Sequence, residues 1–322
     1  MNGLALRGPD WVAVRVHRGT LWTAAVLLVL SVALLVAVPL WAADLAEKYA
    51  GSSCPIRLSN GSCTDNTWFI ASSDWAYREL MAKAGVALLL LPVAFALFVA
   101  GPLIARELES GTYRMSWTQS VSPARWLTTR TVLPALALGA GTAALIGMYR
   151  WARWAGPGVR GNWYADSTFP ATGPVGVAYV LLAVALAALA ALLVRRTLPA
   201  MGIAGAATSI VIWVMPHLRG HLWPTTYAAG NSPRSWPAGP NTWVQEQGLV
   251  DSSGKRLPYD LCLKGMTDEN ACWTKNHISG PYAVFHRASD YWPLQLVETG
   301  IVLALTALAA AAAFRLLRRT AA

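Results

Sequence analysis

The sequence predicts an all-α integral membrane protein with six transmembrane helices, both termini in the cytoplasm and a large extracytoplasmic loop between helices 5 and 6. Three observations carry this prediction: the composition, the charge-free stretches and the distribution of basic residues. Of 322 residues, 55% are hydrophobic and only 13% are charged. A soluble chain of this length needs far more charge to cover its surface, so the composition favours a membrane protein.

Long stretches free of Asp, Glu, Lys and Arg define the spans. Crossing a hydrocarbon core takes about 20 residues, and in lipid the backbone must satisfy its own hydrogen bonds, so each stretch is a helix. The first apolar run is too long for a cleavable signal peptide, and no small-residue cleavage pattern follows it. The chain is thus a single transmembrane domain with spans at residues 20–41, 83–105, 130–149, 174–194, 198–216 and 293–314.

The basic residues orient these spans. With both termini inside, the inner segments hold twelve basic residues against three acidic ones, whereas the rest of the chain has fourteen against thirteen. The asymmetry follows the positive-inside rule. The net charge of +10 therefore reflects basic residues that lie next to membrane lipid, and no nucleic-acid partner is predicted. Residues 1–18 are expected to form an amphipathic helix along the inner leaflet, with a disordered basic tail as the alternative.

Three extracytoplasmic loops are predicted, at residues 42–82, 150–173 and 217–292. Cys54 and Cys63 lie in the first loop, and Cys262 and Cys272 lie in the last, on the side where disulfides persist. Their close spacing favours the pairs Cys54–Cys63 and Cys262–Cys272, although four cysteines allow three pairings and unpaired thiols are the alternative. No helical or strand period runs through the last loop, which we interpret as a compact cap stapled by its cysteine pair.

Glu298 is the only acidic residue within a predicted span. Burying a carboxylate in the membrane is costly, so Glu298 is a candidate intramembrane polar site for proton or cation handling. The alternative is interfacial, because Glu298 lies about two helical turns from the outer end of its span and could reach headgroups or water.

Other motifs in the sequence do not indicate nucleotide binding, metal binding or catalysis by this chain. The stretch Gly248–Arg256, GLVDSSGKR, superficially resembles a phosphate loop, but its glycines are one residue too far apart and Arg256 replaces the magnesium-binding Ser or Thr. His217 and His221 have helical metal-ligand spacing without the adjacent Glu of a metalloprotease, so we predict no metal site. No spacing selects a catalytic group. The chain is expected to bind no cofactor and to be no enzyme.

Residues 106–129 form the longest inner loop. Gly111 followed by Thr112 predicts a helix stop or a chain reversal, and Ser122 followed by Pro123 predicts a helix start. We expect a short helix, a turn and a second short helix, which project charges of both signs towards a cytoplasmic partner. The alternative is a solvated connecting loop, which would be shorter, more polar and without tryptophans.

The stretch ARELESGTYRMSWTQSVSPARWL, residues 105–127, resembles the inner-loop signature of type-2 ABC exporter permeases, in the version of an actinomycete-like group. In that family an RExExGT run follows the second span, and a Trp-Thr-Gln-Ser-Val run leads through Ser-Pro to RWL. The six spans, the amphipathic lead and the large outer segment are also similar to that family, whereas the first outer loop with its own cysteine pair is less typical.

The resemblance implies that the loop couples the chain to a separate ABC ATPase subunit, which binds ATP and magnesium. It also implies a second permease chain, identical or different, in a bacterial plasma membrane. The implied coupling residues are Arg106, Glu107, Glu109, Gly111, Thr112, Arg114, Trp117, Gln119, Arg125 and Trp126.

The spans are nearly devoid of charge, which favours an apolar or amphipathic cargo such as a drug, an antibiotic or a lipid. Two functions of other classes stay open from the sequence. One is a membrane sensor or scaffold that binds a ligand through its outer loops without ATP. The other is a membrane-embedded enzyme that modifies lipids and uses outer-loop His or Asp residues as bases.

Overall fold

The structure, a computed structural model, describes residues 29, 32–41, 43–44, 47, 64–118, 122–155, 162–232, 235–262 and 269–321. The predicted amphipathic lead and the predicted Cys54–Cys63 pair lie outside the described residues. Five helices in the described part are long and apolar enough to cross a membrane: Tyr77–Ser110, Pro123–Ala155, Pro174–Val194, Thr197–Arg219 and Ala288–Arg319. They match the second to sixth predicted spans. Of the first, a shorter apolar helix, Val32–Trp41, is described, so the count of six stays a prediction.

The helices are numbered in chain order over the described residues. They are α1 (Val32–Trp41), α2 (Thr64–Phe95), α3 (Gly101–Ser110), α4 (Tyr113–Thr118), α5 (Pro123–Ala155), α6 (Thr168–Thr172), α7 (Pro174–Val194), α8 (Thr197–Arg219), α9 (Glu269–Lys275) and α10 (Tyr291–Ala321). A π-helical segment, Ala96–Ala100, joins α2 to α3, so that these three form the second span.

The π-helical segment has a local cause. Pro102 has no N–H group, and in a regular helix its ring would clash with the carbonyl group four residues earlier. The wider turn relieves this conflict, and the Gly101 N–H donates to the Ala96 carbonyl, five residues back. The irregularity therefore arises at the point where the helix must accommodate this proline.

Helix α7 is the centre of the helical bundle. It is apolar all round, which is typical of a helix enclosed by others, and most of its side chains are buried. The helices α2, α3, α5, α8 and α10 pack against it. Its many alanines allow close approach. Two buried clusters result, one towards the inner loop around Ala187 and Leu192, and one towards the outer side around Phe169 and Leu294.

The outer segment contains a four-stranded antiparallel sheet that the sequence reading did not predict. Its strands are β1 (Thr226–Ala229), β2 (Trp243–Asp251), β3 (Arg256–Pro258) and β4 (Ile278–His286), in the order β1-β4-β2-β3. The long strand β4 lacks the alternation that marks a strand, because it is buried on both faces for much of its length, and two register shifts interrupt its pairing with β2. The expected all-α architecture therefore describes the spans but not this segment.

A disulfide joins Cys262 to Cys272, which confirms the predicted pairing of these two residues. Both cysteines are buried in a small cluster with Leu249 of β2 and Trp273 of α9. The bond thus joins α9 to the 3-10 turn Tyr259–Cys262 that follows β3, and the two pack on the sheet through Leu249, so the outer segment is a stapled cap as predicted.

Replacing Cys262 by Ser is expected to lower the free energy of unfolding of the outer segment by about 3 kcal/mol, because the bond closes a short loop in the unfolded chain. Urea-dependent proteolysis of the segment in detergent measures this loss. The double variant Cys262→Ser, Cys272→Ser is the control and should lose the same amount. Unchanged protease resistance of either variant under oxidising conditions would contradict the stapling role.

Candidate functional site

The inner loop between α3 and α5 is defined by the predicted stop and start signals. Helix α3 ends at Ser110 because Gly111 has a φ of 74°, a left-handed conformation that glycine adopts without cost. Helix α5 begins at Pro123, and the Ser122 hydroxyl accepts from the Arg125 N–H at 3.4 Å. Both signals are confirmed. The helix that begins at Pro123 is the third span itself, however, and the short helix α4 between the two was not predicted.

Glu107 ties the two arms of the loop together. Its Oε1 lies 2.6 Å from Nη2 of Arg130 on α5, and its Oε2 accepts from the Trp126 indole N–H at 2.9 Å. The Glu107 side chain is only 25% exposed, so it is partly shielded from water. These charge-assisted bonds hold α3 and α5 as one unit. Glu107 was expected to face a partner protein, but its carboxylate already has two donors within its own chain.

Glu109 contacts the fifth span. Its Oε2 accepts from the Thr197 backbone N–H at 2.9 Å and also from the Thr197 hydroxyl. Thr197 is the first residue of α8, and a carboxylate is favourable at a helix N-terminus because free N–H groups point towards it. The structure therefore connects the end of the second span to the start of the fifth, a contact that the sequence did not indicate.

Aromatic side chains anchor α4 to the membrane helices. The Tyr113 and Trp117 rings lie 4.8 Å apart between centroids, and the Trp126 ring is 6.4 Å from each of them. Trp126 is buried, and Tyr113 and Trp117 pack on the inner hydrophobic cluster. The predicted coupling residues Trp117 and Trp126 thus act as packing groups that fix the shape of the loop.

Three of the exposed side chains of the loop are basic. Arg106, Thr112, Arg114 and Arg125 are exposed, and Met115 is 71% exposed. The Arg114 Nε donates to the Tyr113 hydroxyl at 3.4 Å, and this bond raises the pKa of Arg114 above its usual value. Glu109 is also exposed but is engaged by Thr197. The remaining predicted residue, Gln119, lies outside the described residues.

Glu298 lies in a buried polar network near the outer ends of three spans. Its Oε2 accepts from Arg219 Nε at 2.7 Å, and its Oε1 accepts from Arg219 Nη2 at 3.2 Å and from the Tyr179 hydroxyl at 2.6 Å. Glu298 is 0% exposed and Arg219 is 1% exposed. The network joins α7, α8 and α10. The interfacial alternative for Glu298 does not fit, since its carboxylate faces protein donors rather than water.

Arg219 has further contacts on its outer side. Its guanidinium carbon lies 4.0 Å from the centre of the Phe169 ring, and Nη1 lies 3.8 Å from Oδ1 of the exposed Asp166. Next to it, the buried Gln295 donates to the Phe169 carbonyl at 2.6 Å. Arg219 was not singled out by the sequence analysis. A buried acid needs a buried base, and that requirement was the signal that could have identified Arg219.

The stretch that superficially resembles a phosphate loop is part of the outer sheet. The stretch Gly248–Arg256 is a β-hairpin: Asp251 Oδ1 accepts from the Ser253 hydroxyl and from the N–H groups of Ser253 and Lys255 at 2.7 to 2.9 Å. These hydrogen bonds lower the pKa of Asp251, and the bond from the Ser253 side chain contributes most. Within the described ranges, no group of three or more His, Cys, Asp or Glu side chains could hold a metal ion.

A comparison with protein families identifies the family of this chain. The family model described as ABC-2 membrane transporter related matches residues 21–219, more than half of the chain. The match includes the inner loop and ends at Arg219, so the outer sheet and α10 lie beyond it. Comparisons with curated proteins and with solved structures returned no match.

Replacing Glu298 by Leu is expected to lower the free energy of unfolding by about 3–5 kcal/mol, because Arg219 would stay buried without its partner. The double variant Arg219→Met, Glu298→Leu should recover most of this loss, since no charge is then left unpaired. Thermal unfolding in detergent measures both.

The matched control is Glu79→Leu, which removes a carboxylate from an exposed pair with Lys83. Its expected cost is about 0.5 kcal/mol. If Glu298→Leu and Glu79→Leu lowered stability equally, the buried pair would not have the structural weight assigned to it.

Proposed function

The chain belongs to the ABC-2 membrane transporter related family, and we propose that it is the membrane-spanning subunit of an ATP-driven exporter. The family is a membrane component of ABC transporters, so the chain is a permease and a multi-pass membrane protein. The finer proposal is that a separate ABC ATPase, with ATP and magnesium, supplies the energy. A second permease chain and a bacterial plasma membrane complete the proposed assembly.

The observation that carries the proposal is the construction of the inner loop. Helices α3 and α5 continue directly into the second and third spans, and Glu107 clamps them together through Arg130 and Trp126. A force applied to α4 therefore reaches two membrane helices at once. A simple connection between two spans would not need a carboxylate clamp with three packed aromatic rings.

The exposed arginines favour a partner with acidic character. Arg106, Arg114 and Arg125 are exposed, whereas Glu107 and Glu109 are engaged within the chain. Complementary charge steers association and fixes orientation. We therefore expect the ATPase to present carboxylates to this loop, and we expect the two glutamates to act by shaping the loop rather than by contacting the partner.

The proposed mechanism is a shift between two states. ATP binding closes the partner ATPases, and their movement is passed through the inner loop to the second and third spans. The central pathway then changes from inner to outer access, because ATP has different affinities for the two states. The nearly charge-free spans suit an apolar or amphipathic cargo such as a drug, an antibiotic or a lipid.

The two alternatives do not gain support from the family match. A sensor or scaffold that works without ATP has no need of a permease fold, and a lipid-modifying enzyme is not what membership of a transporter family favours. Co-purification of the chain with an ABC ATPase, together with ATP hydrolysis by the complex, distinguishes the exporter from both.

Reversing the charge of Arg114 and Arg125 together, each to Glu, is expected to weaken binding of the ATPase subunit by about tenfold or more, because the exposed complementary charges are lost. Co-purification and titration of the purified permease with the ATPase measure this change.

The control reverses the same number of charges elsewhere, with Lys255→Glu and Lys275→Glu on the exposed outer segment. This variant should bind the ATPase normally. Equal binding by the Arg114, Arg125 variant would remove the inner loop from the interface, whereas a wild-type chain that binds no ATPase would overturn the proposed function itself.

A further inference from the structure

Helix α8, the fifth span, is held at both ends by carboxylates from other helices. At its inner end Glu109 of α3 binds Thr197, and at its outer end Glu298 of α10 binds Arg219. Thr197 and Arg219 are the first and last residues of α8. Twenty-three residues of helix cover about 34 Å, which is enough to cross the hydrocarbon core.

The inner contact replaces a missing helix cap. Arg196 occupies the N-cap position of α8 and provides no side-chain hydrogen bond to the helix, so the first N–H groups of α8 depend on acceptors outside the helix. Glu109 supplies an acceptor from a neighbouring span instead. The link that precedes α8 is short, since only Arg195 and Arg196 separate it from α7. Because the link to α7 is so short, the position of the start of α8 depends on α7 and on the contact with Glu109.

The outer contact, between Arg219 and Glu298, is stronger than the inner one. Arg219 and Glu298 are buried, so separating them would leave two charges without partners in a region of low dielectric constant. Tyr179 adds a third helix through its bond to the same carboxylate. A displacement of α8 is therefore shared by α7 and α10 at their outer ends. The helix is continuous between the two contacts, although it contains Pro216 close to its outer end.

We infer that α8 carries movement of the inner loop across the membrane, and that Glu109 is the positioning residue through which this movement enters α8. The inference rests on the proposed function. It adds a route that differs from the direct continuation of the loop into the second and third spans. Its physical basis is a continuous chain of contacts from Glu109 through Thr197 and Arg219 to Glu298.

The experiment measures the ATP-dependent movement of α8 in the complex of permease and ATPase. Spin labels are introduced as noncanonical amino acids at Val86 on α2 and Trp213 on α8, both of which are exposed on the membrane helices. Distances are compared without nucleotide and with ATP in a complex whose ATPase cannot hydrolyse it. Wild-type chains are expected to show a change in this distance when ATP binds.

The variant Glu109→Ala is expected to remove most of this change, because the contact through which the movement enters α8 is lost, while the complex still assembles and binds ATP. Thr197→Val should reduce it partly, because it removes the hydroxyl bond and leaves the backbone N–H. Thr197→Ser keeps both donors and should behave as wild type. Glu79→Ala, which removes an exposed carboxylate at the outer side, is the control.

The outcomes separate the inference from the proposed function. An unchanged ATP-dependent distance change in Glu109→Ala would overturn the role of Glu109. If that variant does not assemble, equal behaviour of Thr197→Val and Thr197→Ser overturns it. Failure of the wild-type chain to bind the ATPase, or to respond to ATP, would instead contradict the proposed function.

Discussion

The ion pair between Arg219 and Glu298 is the interaction on which the outer half of the molecule depends. A single charge within a membrane helix costs several kcal/mol, and here two opposite charges share that cost by binding each other. Neither charge can be buried alone where α8 and α10 pack against α7, so the pair favours the arrangement in which these helix ends meet. Tyr179 and the Phe169 ring then complete the shell around the two charges.

The outer sheet is attached to the same point. Gly220 follows Arg219 directly, and its carbonyl oxygen lies 3.1 Å from Nε2 of the buried His286 at the end of β4. Trp243 of β2 packs on His286 with ring centroids 5.3 Å apart, and it also contacts Trp163. The ion pair therefore fixes both the three spans and the position of the sheet above them. A change in the relative positions of these spans would be transmitted to the sheet.

The sequence determined the parts of the structure that depend on local signals. Hydropathy gave the second to sixth spans, the Ser-Pro start gave α5, and close spacing gave the Cys262–Cys272 pair. The sheet was not predicted because β4, one of its two inner strands, is buried on both faces and lacks alternation. Arg219 was not predicted because its partner is 79 residues away in the chain. Charge alone likewise could not reveal that Glu107 and Glu109 bind Arg130 and Thr197 within the chain.

The two ends of α8 also differ in how readily their contacts can change. Glu109 is exposed but binds Thr197 through both a backbone N–H and a hydroxyl group, whereas Glu298 cannot lose Arg219 without leaving a buried charge. Both oxygens of Glu298 already accept hydrogen bonds, and a bound cation would have to displace the guanidinium group. The geometry thus favours a structural role for Glu298 over the handling of protons or cations. It leaves the inner end as the adjustable contact and the outer end as the fixed one.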